Sequence, residues 1–466
     1  MVRCVPTRRG VFLQSSDRLT GLPTELINNI LTLVPIRDVV RTSALSRNWR
    51  YKWMYIPEIV FDSRSIPLFP PSASLQGQRN LVDFVTHVLS FHSGTLQKFG
   101  MSGYLESSCN DVDRWILLLS RKSVKMITLE FPQGNQYKVP SALFSIQTLE
   151  ELKLKRSILK LPSHTIGFKN LVDLDLWKVT LTNETIASII VDCPLEKLTL
   201  IYCDGFSCLN VCAPKLIMFF LYSPCGSIYF DNTPQLRIAS IEMLPMMVGG
   251  IPLPRHLVTS RLDARLTGLV NVQELCIFKN FMKILAAHII PERLCFTYHI
   301  LTTMLLEMNF ESLVENSTAL CLFRSSPCLL TLHVTVSTSS VDDGSCDREF
   351  TGICVKLMSN FFHYLVFCRV IFLDSIPFLG NGRFWESIPH EEIIFARLNN
   401  LVLSGFMGMK NEVSFVQFVL RCAVMLHTIR ITWDATVEKG TKRTGTLENM
   451  MQFRRASPRA RVIFSG

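Results

Sequence analysis

A spaced leucine pattern limits more than any other feature what this chain can become. L-x-x-L-x-L occurs at Leu149/Leu152/Leu154, Leu171/Leu174/Leu176 and Leu195/Leu198/Leu200, and with a central Phe at Leu216/Phe219/Leu221. The first positions are 22, 24 and 21 residues apart. Looser copies precede these at Leu96/Phe99/Met101 and Val124/Ile127/Leu129, and follow them at Leu236/Ala239/Ile241 and Val272/Leu275/Ile277. Within each copy the second and third apolar residues are two apart, so in an extended strand they point to one face. One such strand cannot bury that face alone. Stacked copies bury it jointly, as a parallel sheet that lengthens with each unit. A chain of 466 residues can therefore reach its size by repetition rather than by enlarging one core.

A period of roughly 20–29 residues is that of the leucine-rich repeat, with strands on a concave face and helices or loops on the convex side. The side chains between the inward leucines line the concave face. They are Glu151, Lys153 and Lys155; Asp173, Asp175 and Trp177; Lys197, Thr199 and Ile201; then Met218, Phe220 and Tyr222. The strip runs from charged to aromatic and apolar. Lys153, Lys155, Asp173, Asp175, Trp177, Lys197, Ile201, Phe220 and Tyr222 form the candidate target-binding set, because aromatic anchors carry much of the energy of protein interfaces. The competing reading is that neighbouring loops or the carboxy-terminal end cover the aromatic part.

The stretch Asp17–Asp62 has a different period. Leu26, Ile27, Ile30, Leu31 and Val34 recur at helical spacing; Pro23 suits the first turn, and Pro35 stops the helix. A second short helix runs through Val39, Val40 and Ser43. Ser46 can cap a third, with Trp49 and Trp53 four apart on one face. So small a unit leaves apolar surface for a partner. Leu22-Pro23, Ile30-Leu31, Pro35, Val39 to Ser43, Leu45-Ser46-Arg47 and Trp49-Arg50 with Trp53 resemble the plant F-box. Asn48 departs from that pattern, where a basic residue is common. The resemblance implies that Leu22, Pro23, Leu26, Ile30, Pro35, Val39, Val40, Leu45 and Trp49 contribute to a surface buried against a Skp-type adaptor, and through it a cullin. The alternative is that they are only the interior of a three-helix cap.

Toward the other end, FRSSPCLLTLHV (Phe323–Val334), GRFWESIP (Gly382–Pro389), the run Leu398–Trp433 and FRRASPRARVIF (Phe453–Phe464) resemble the FBD region. Leu398/Leu401/Leu403 and Leu426/Ile429/Ile431 repeat the strand pattern, and Val413, Phe415, Val416, Phe418, Val419 and Leu420 suit a buried helix between them. The organisation expected is therefore α/β: an F-box of three helices (17–62), a Pro/Ser/Gln-rich linker (63–80), a repeat solenoid (81–322), and terminal repeats with an FBD cap (323–466). Residues 242–268 break the period with paired glycines and prolines, and Thr335–Phe350 reads as an exposed loop.

Composition narrows the function. The charge balance of 48 basic against 38 acidic residues is a thin excess, and the signs on the concave strip are mixed, so no nucleic-acid partner is expected. The longest apolar run, Phe361–Leu373, is interrupted by His363 and Arg369, so no membrane span is expected. The basic start lacks a long apolar stretch, which reads against a secretory signal and places the chain in the cytosol or nucleus, with its 15 cysteines reduced. Cys203, Cys208 and Cys212, with Cys193 and Cys225 nearby, lack paired C-x-x-C spacing, so they are expected as structural thiols and not as a metal site. Nucleotide, zinc-protease and serine-hydrolase motifs are missing, and neither catalytic residues nor a cofactor are expected. The reading is a substrate-recognition adaptor of a Skp–cullin–F-box ubiquitin ligase. The alternative is a repeat scaffold that acts without a ligase.

Overall fold

The computed structural model describes residues 21–62, 64–65, 75–102, 111–131, 135–162, 167–248, 251–252, 262–337, 384–389, 394–437 and 440–465. The chain divides into two compact units, Met1–Leu195 with Tyr202–Gly205, and Glu196–Ile201 with Phe206–Gly466.

The first unit opens with α1 (Thr24–Thr32) and α2 (Ile36–Arg41). Pro23 and Pro35 stand immediately before them with φ of −55° and −54°, where a missing N–H costs nothing. The third α-helix expected after Ser46 does not form. The N–H groups of Trp49, Lys52 and Met54 bond to the carbonyls of Ser46, Trp49 and Tyr51, each three residues back, and Lys52–Tyr55 is a 3-10 turn. The segment is short and aromatic, and Pro57 holds Ile56 extended, so an α-helix has no room to propagate. Trp49 and Trp53 still turn inward and are buried, as are Ile27, Leu31, Ile36 and Val39.

The sheet begins earlier than the pattern was read. Strand β1 (Glu58–Phe61) lies inside the stretch assigned to the helices, and Ile56/Ile59/Phe61 is one more copy of the pattern. It pairs in parallel with β2 (Lys98–Ser102), followed by β3 (Met126–Glu130), β4 (Glu151–Lys155) and β5 (Asp173–Trp177). The register places Ile59, Phe99, Ile127, Leu152 and Leu174 in one buried row, and Phe61, Met101, Leu129, Leu154 and Leu176 in the next. Helix α3 (Leu75–Phe91) joins β1 to β2 and starts within the expected linker, where Leu75, Gln76, Gln78 and Arg79 are helix formers. Helices α4 (Asp111–Leu119) and α5 (Asn183–Asp192) follow in this unit. Arg156, Lys178 and Tyr202 have φ of 57°, 53° and 51°, recur at the repeat spacing, and each directly follows a strand or its end. These left-handed residues turn the chain away from the sheet, toward short parallel strands at Tyr137–Lys138, Ser157–Leu159 and Thr180–Leu181.

The second unit continues the same design with β6 (Lys197–Ile201), β7 (Met218–Pro224), β8 (Ile238–Leu244), β9 (Glu274–Ile277), β10 (Thr303–Met308), β11 (Thr331–Val336), β12 (Asn400–Phe406), β13 (Thr428–Trp433) and β14 (Arg461–Ser465), each parallel to the next. One row runs Leu198, Phe219, Ala239, Leu275, Met304, Leu332, Leu401, Ile429 and Val462. Strands β10 and β11 carry two further copies, Leu301/Met304/Leu306 and Leu329/Leu332/Val334, all buried. Helices α6 (Lys279–Ala286), α7 (Leu313–Arg324), α8 (Lys410–Cys422) and α9 (Thr441–Met451) lie between strands.

Helix α8 is the buried helix anticipated from Val413–Leu420. Trp385, from the GRFWESIP motif, is fully buried, with its ring 4.9 Å from Phe415 and 5.1 Å from Phe418. Arg421 donates to the carbonyls of Trp385 and Ile388. The expected loop at Thr335–Phe350 is partly strand, since Thr335 and Val336 complete β11; residues 338–350 lie outside the described residues, as does Phe361–Leu373. In the irregular stretch 242–268, Met247–Val248 pairs antiparallel with Ile251–Pro252, while 249–250 and 253–261 lie outside the described residues. Among the described residues no helix is long and apolar enough to cross a membrane.

Candidate functional site

Helix α1 is apolar on two sides, and only one is used internally. Ile27 and Leu31, four apart, are buried in the small helical core. Leu26, Ile30 and Leu33 stand at i, i+4 and i+7, so they form one stripe along a neighbouring flank of the helix, turned out of that core. They are 48%, 42% and 81% exposed, and Leu45 beyond α2 is 71% exposed. Pro23 is exposed at the head of the stripe, with Leu22 half-buried beside it. Among the described residues nothing covers this apolar stripe.

The sequence-assigned adaptor set therefore divides. Pro23, Leu26, Ile30 and Leu45 face outward; Leu22, Pro35 and Val40 are half-buried. Val39 and Trp49 are corrected to core residues. The helices are too short to bury themselves without them, and their side chains fill the interior. Leu33 was missed, although its spacing of seven from Leu26 was a legible signal.

The helical head is joined to the sheet by backbone hydrogen bonds. Ser93 and Gly94 N–H donate to the Met54 carbonyl at 2.9 and 3.0 Å, and Gln97 and Lys98 N–H donate to that of Pro57 at 2.7 and 3.1 Å. The buried His92 ring places Nε2 2.8 Å from the Ile56 carbonyl. Burial holds this imidazole below its ordinary pKa, with Lys122 acting in the same direction, so it donates as the neutral ring. A Cβ at Gly94 would stand 2.8 Å from Tyr55 Cα, a contact that only glycine avoids. The outward stripe and the first repeats thus belong to one compact unit.

On the outward strand positions of the first unit, charges of both signs stand side by side. Lys153 is in register with Asp175 and Lys155 with Glu130, pairs of opposite sign, whereas Glu151 stands beside the like-charged Asp173 and Lys155 also beside Trp177. Lys155 Nζ lies 4.8 Å from the Trp177 ring centre, so the half-buried indole carries a cation on its face. In the second unit, Lys197 and Tyr222 are partly exposed, whereas Ile201 and Phe220 are buried and are corrected as target contacts. Phe220 stands between the small Thr199 and Ser240 in register, and Ile201 beside Tyr222.

Glu242 follows Tyr222 in register and went unnoticed in the sequence. It is buried and accepts hydrogen bonds from the Asn280 backbone and side chain at the start of α6. Burial pushes its carboxyl up to about 8, and the nearby Glu307 carboxylate adds to that shift. Glu412, buried at the start of α8, is pushed up to about 7 by burial, against the N–H groups of Met407, Gly408 and Met409 that it accepts from. Both carboxyls stabilise helix N-termini and have no pattern in the sequence that marks them.

The cysteine side chains act as local donors. Cys203 is fully buried and donates to the Leu176 carbonyl at 3.3 Å, and Cys193 donates to that of Phe168 at 3.0 Å. Burial raises the Cys193 thiol to about 12, away from the thiolate needed for metal or nucleophile chemistry. Cys208 is exposed on a short strand.

A helical head with an uncovered apolar stripe, fused to a long parallel sheet of leucine repeats, defines an F-box protein of the leucine-rich-repeat class. The F-box domain model matches residues 19–57, and the model for the leucine-rich repeats of FBD-associated F-box protein At5g56370 matches 112–334. The F-box/FBD/LRR-repeat protein At1g13570 of Arabidopsis thaliana is 30% identical over 97% of this chain and 99% of its own length. A second protein from that plant, F-box/FBD/LRR-repeat protein At5g56420, is 29% identical over 48% of this chain and 55% of its own. The chain belongs to the F-box/FBD/LRR-repeat family. A solved leucine-rich-repeat protein of Leptospira interrogans, LIC12759, aligns over 90% of this chain and 92% of its own at 11% identity, with a TM-score of 0.33.

Proposed function

We propose that the chain is a substrate-recognition adaptor of a Skp–cullin–F-box ubiquitin ligase, working in the cytosol or nucleus. The observation that carries this is the stripe Leu26/Ile30/Leu33 with Leu45, apolar and uncovered on the element that matches the F-box domain. Docked on a Skp-type adaptor, and through it a cullin, these side chains leave water at the interface. The repeats hold a target protein through outward strand residues, of which Lys153, Lys155, Asp173, Asp175 and Trp177 are accessible in the first unit, and Lys197 and Tyr222 in the second. The chain contributes no reacting group. Its chemical effect is to hold target lysines near a ubiquitin-charged enzyme, converting an encounter in solution into a local one. The hydrogen-bonded joint at Met54–Lys98 supports this role, because it ties the helical head directly to the first repeats.

The test is a titration of the full chain with a purified Skp-type adaptor by calorimetry. A saturable one-to-one complex is expected. A folded chain that forms no complex would leave the repeat-scaffold reading in its place.

A further inference from the structure

The last strand of the second unit has an unusual free edge. Among the described residues β14 pairs with β13 alone. Arg461 N–H donates to the His427 carbonyl, which fixes the direction of the backbone. In an extended strand the direction reverses at each residue, so Val462 and Phe464 present their N–H and C=O groups away from β13. Their side chains continue the rows of Ile429 and Ile431, yet both are only half-buried, whereas those two are fully buried. The apolar rows thus run on to an edge with nothing beyond it among the described residues. Such an edge is a template for strand addition.

Charge selects the occupant. After Glu448 the sequence carries Arg454, Arg455, Arg459 and Arg461 and no acidic residue. Arg454, Arg459 and Arg461 are exposed, while Arg455 donates to the Ala460 carbonyl within the turn before β14. Arg430 is exposed on β13 in register with Ile463. Edge pairing between two copies brings two such arginine clusters together, which disfavours a second copy. We infer that β14 receives an extended segment of a partner protein in which acidic and apolar residues alternate. Apolar side chains of that segment extend the rows of Val462 and Phe464, and its carboxylates meet Arg461, Arg430 and Arg459 on the other face. This surface is independent of adaptor docking through α1.

The probe is a short labelled peptide alternating Glu and Val, titrated with the full chain by fluorescence anisotropy. Saturable binding that weakens with salt is expected, with no comparable binding of a peptide alternating Lys and Val. Val462→Pro removes an outward N–H while leaving the inward-pointing Arg461 group intact, and is expected to weaken the peptide by about tenfold or more. Arg459→Glu with Arg461→Glu is expected to abolish Glu–Val binding without altering the backbone, which keeps the test decisive if the proline variant misfolds. Equal binding of both peptides overturns the inference, as does full affinity in a folded Val462→Pro chain. A concentration-dependent dimer that Val462→Pro dissolves would overturn the occupant in favour of a second copy.

Discussion

Replacing Leu33 and Leu45 together by Ala separates docking from folding more cleanly than any other change at the head. Both side chains lie mostly in water in the free chain, 81% and 71% exposed, and neither belongs to the helical core. Full burial of a leucine side chain contributes about 2 kcal/mol, and Ala retains little of it. Scaling by the exposure available to a partner gives about 1.6 and 1.4 kcal/mol, or about 3 kcal/mol together if the two act independently. That is a loss of about a hundredfold in affinity. The folded chain loses almost nothing, since exposed substitutions shift stability by about 0.5 kcal/mol or less. Calorimetry against a Skp-type adaptor reads the first quantity, and a thermal melt of the same sample reads the second. Unchanged affinity in a variant with a native melt would refute the stripe as the docking surface. A collapsed melt would refute the assignment of these residues to the surface.

Other changes probe the repeats. Glu242 takes its proton at about 8 when folded and at 4.5 when free, so across that window the folded chain holds a proton the unfolded chain has released. Its contribution to stability is therefore largest at the acid side, falls as pH rises from 4.5 to about 8, and levels off above. Glu242→Gln should raise the melting temperature at pH 8 and leave it near that of the parent at pH 4; equal changes at both would contradict the buried-acid account. Trp385→Ala should destabilise the second unit by about 3–5 kcal/mol, because it empties the site between Phe415 and Phe418, as chemical denaturation would show. Gly94→Ala should lower stability by about 1–3 kcal/mol through its clash with Tyr55, and an unchanged denaturation midpoint would contradict the tight joint. Trp177→Ala should reduce target recovery while changing stability by about 1 kcal/mol, the scale of a half-exposed indole with one lysine on its face.

The repeat sheet was legible because its signal is spacing, and register preserves spacing. Leu152 pairs with Leu174 and Leu154 with Leu176, as equal positions of equal units must. The copies that escaped notice, Ile56/Ile59/Phe61 and Leu301/Met304/Leu306, lie where other patterns dominate: the first at the end of the helical motif, the second beyond the broken period at 242–268. The third helix was misjudged because Trp49 and Trp53 turn inward equally well from 3-10 turns as from an α-helix. Burial on the concave strip was not legible. Ile201 and Phe220 occupy outward positions by alternation and are nevertheless buried. Glu242 has no signal in the sequence, since nothing local announces that Asn280 and Glu307 close around it.

Whether the outward stripe couples bound targets to a ubiquitin ligase can be read by proximity labelling joined to ubiquitin-remnant mapping. Cells would express the parent chain or the Leu33→Ala, Leu45→Ala form, with and without proteasome inhibition. One set of neighbours is expected to be labelled by both forms, carrying new ubiquitin remnants and accumulating under inhibition only with the parent. The same neighbours with equal ubiquitination in both forms would contradict that coupling.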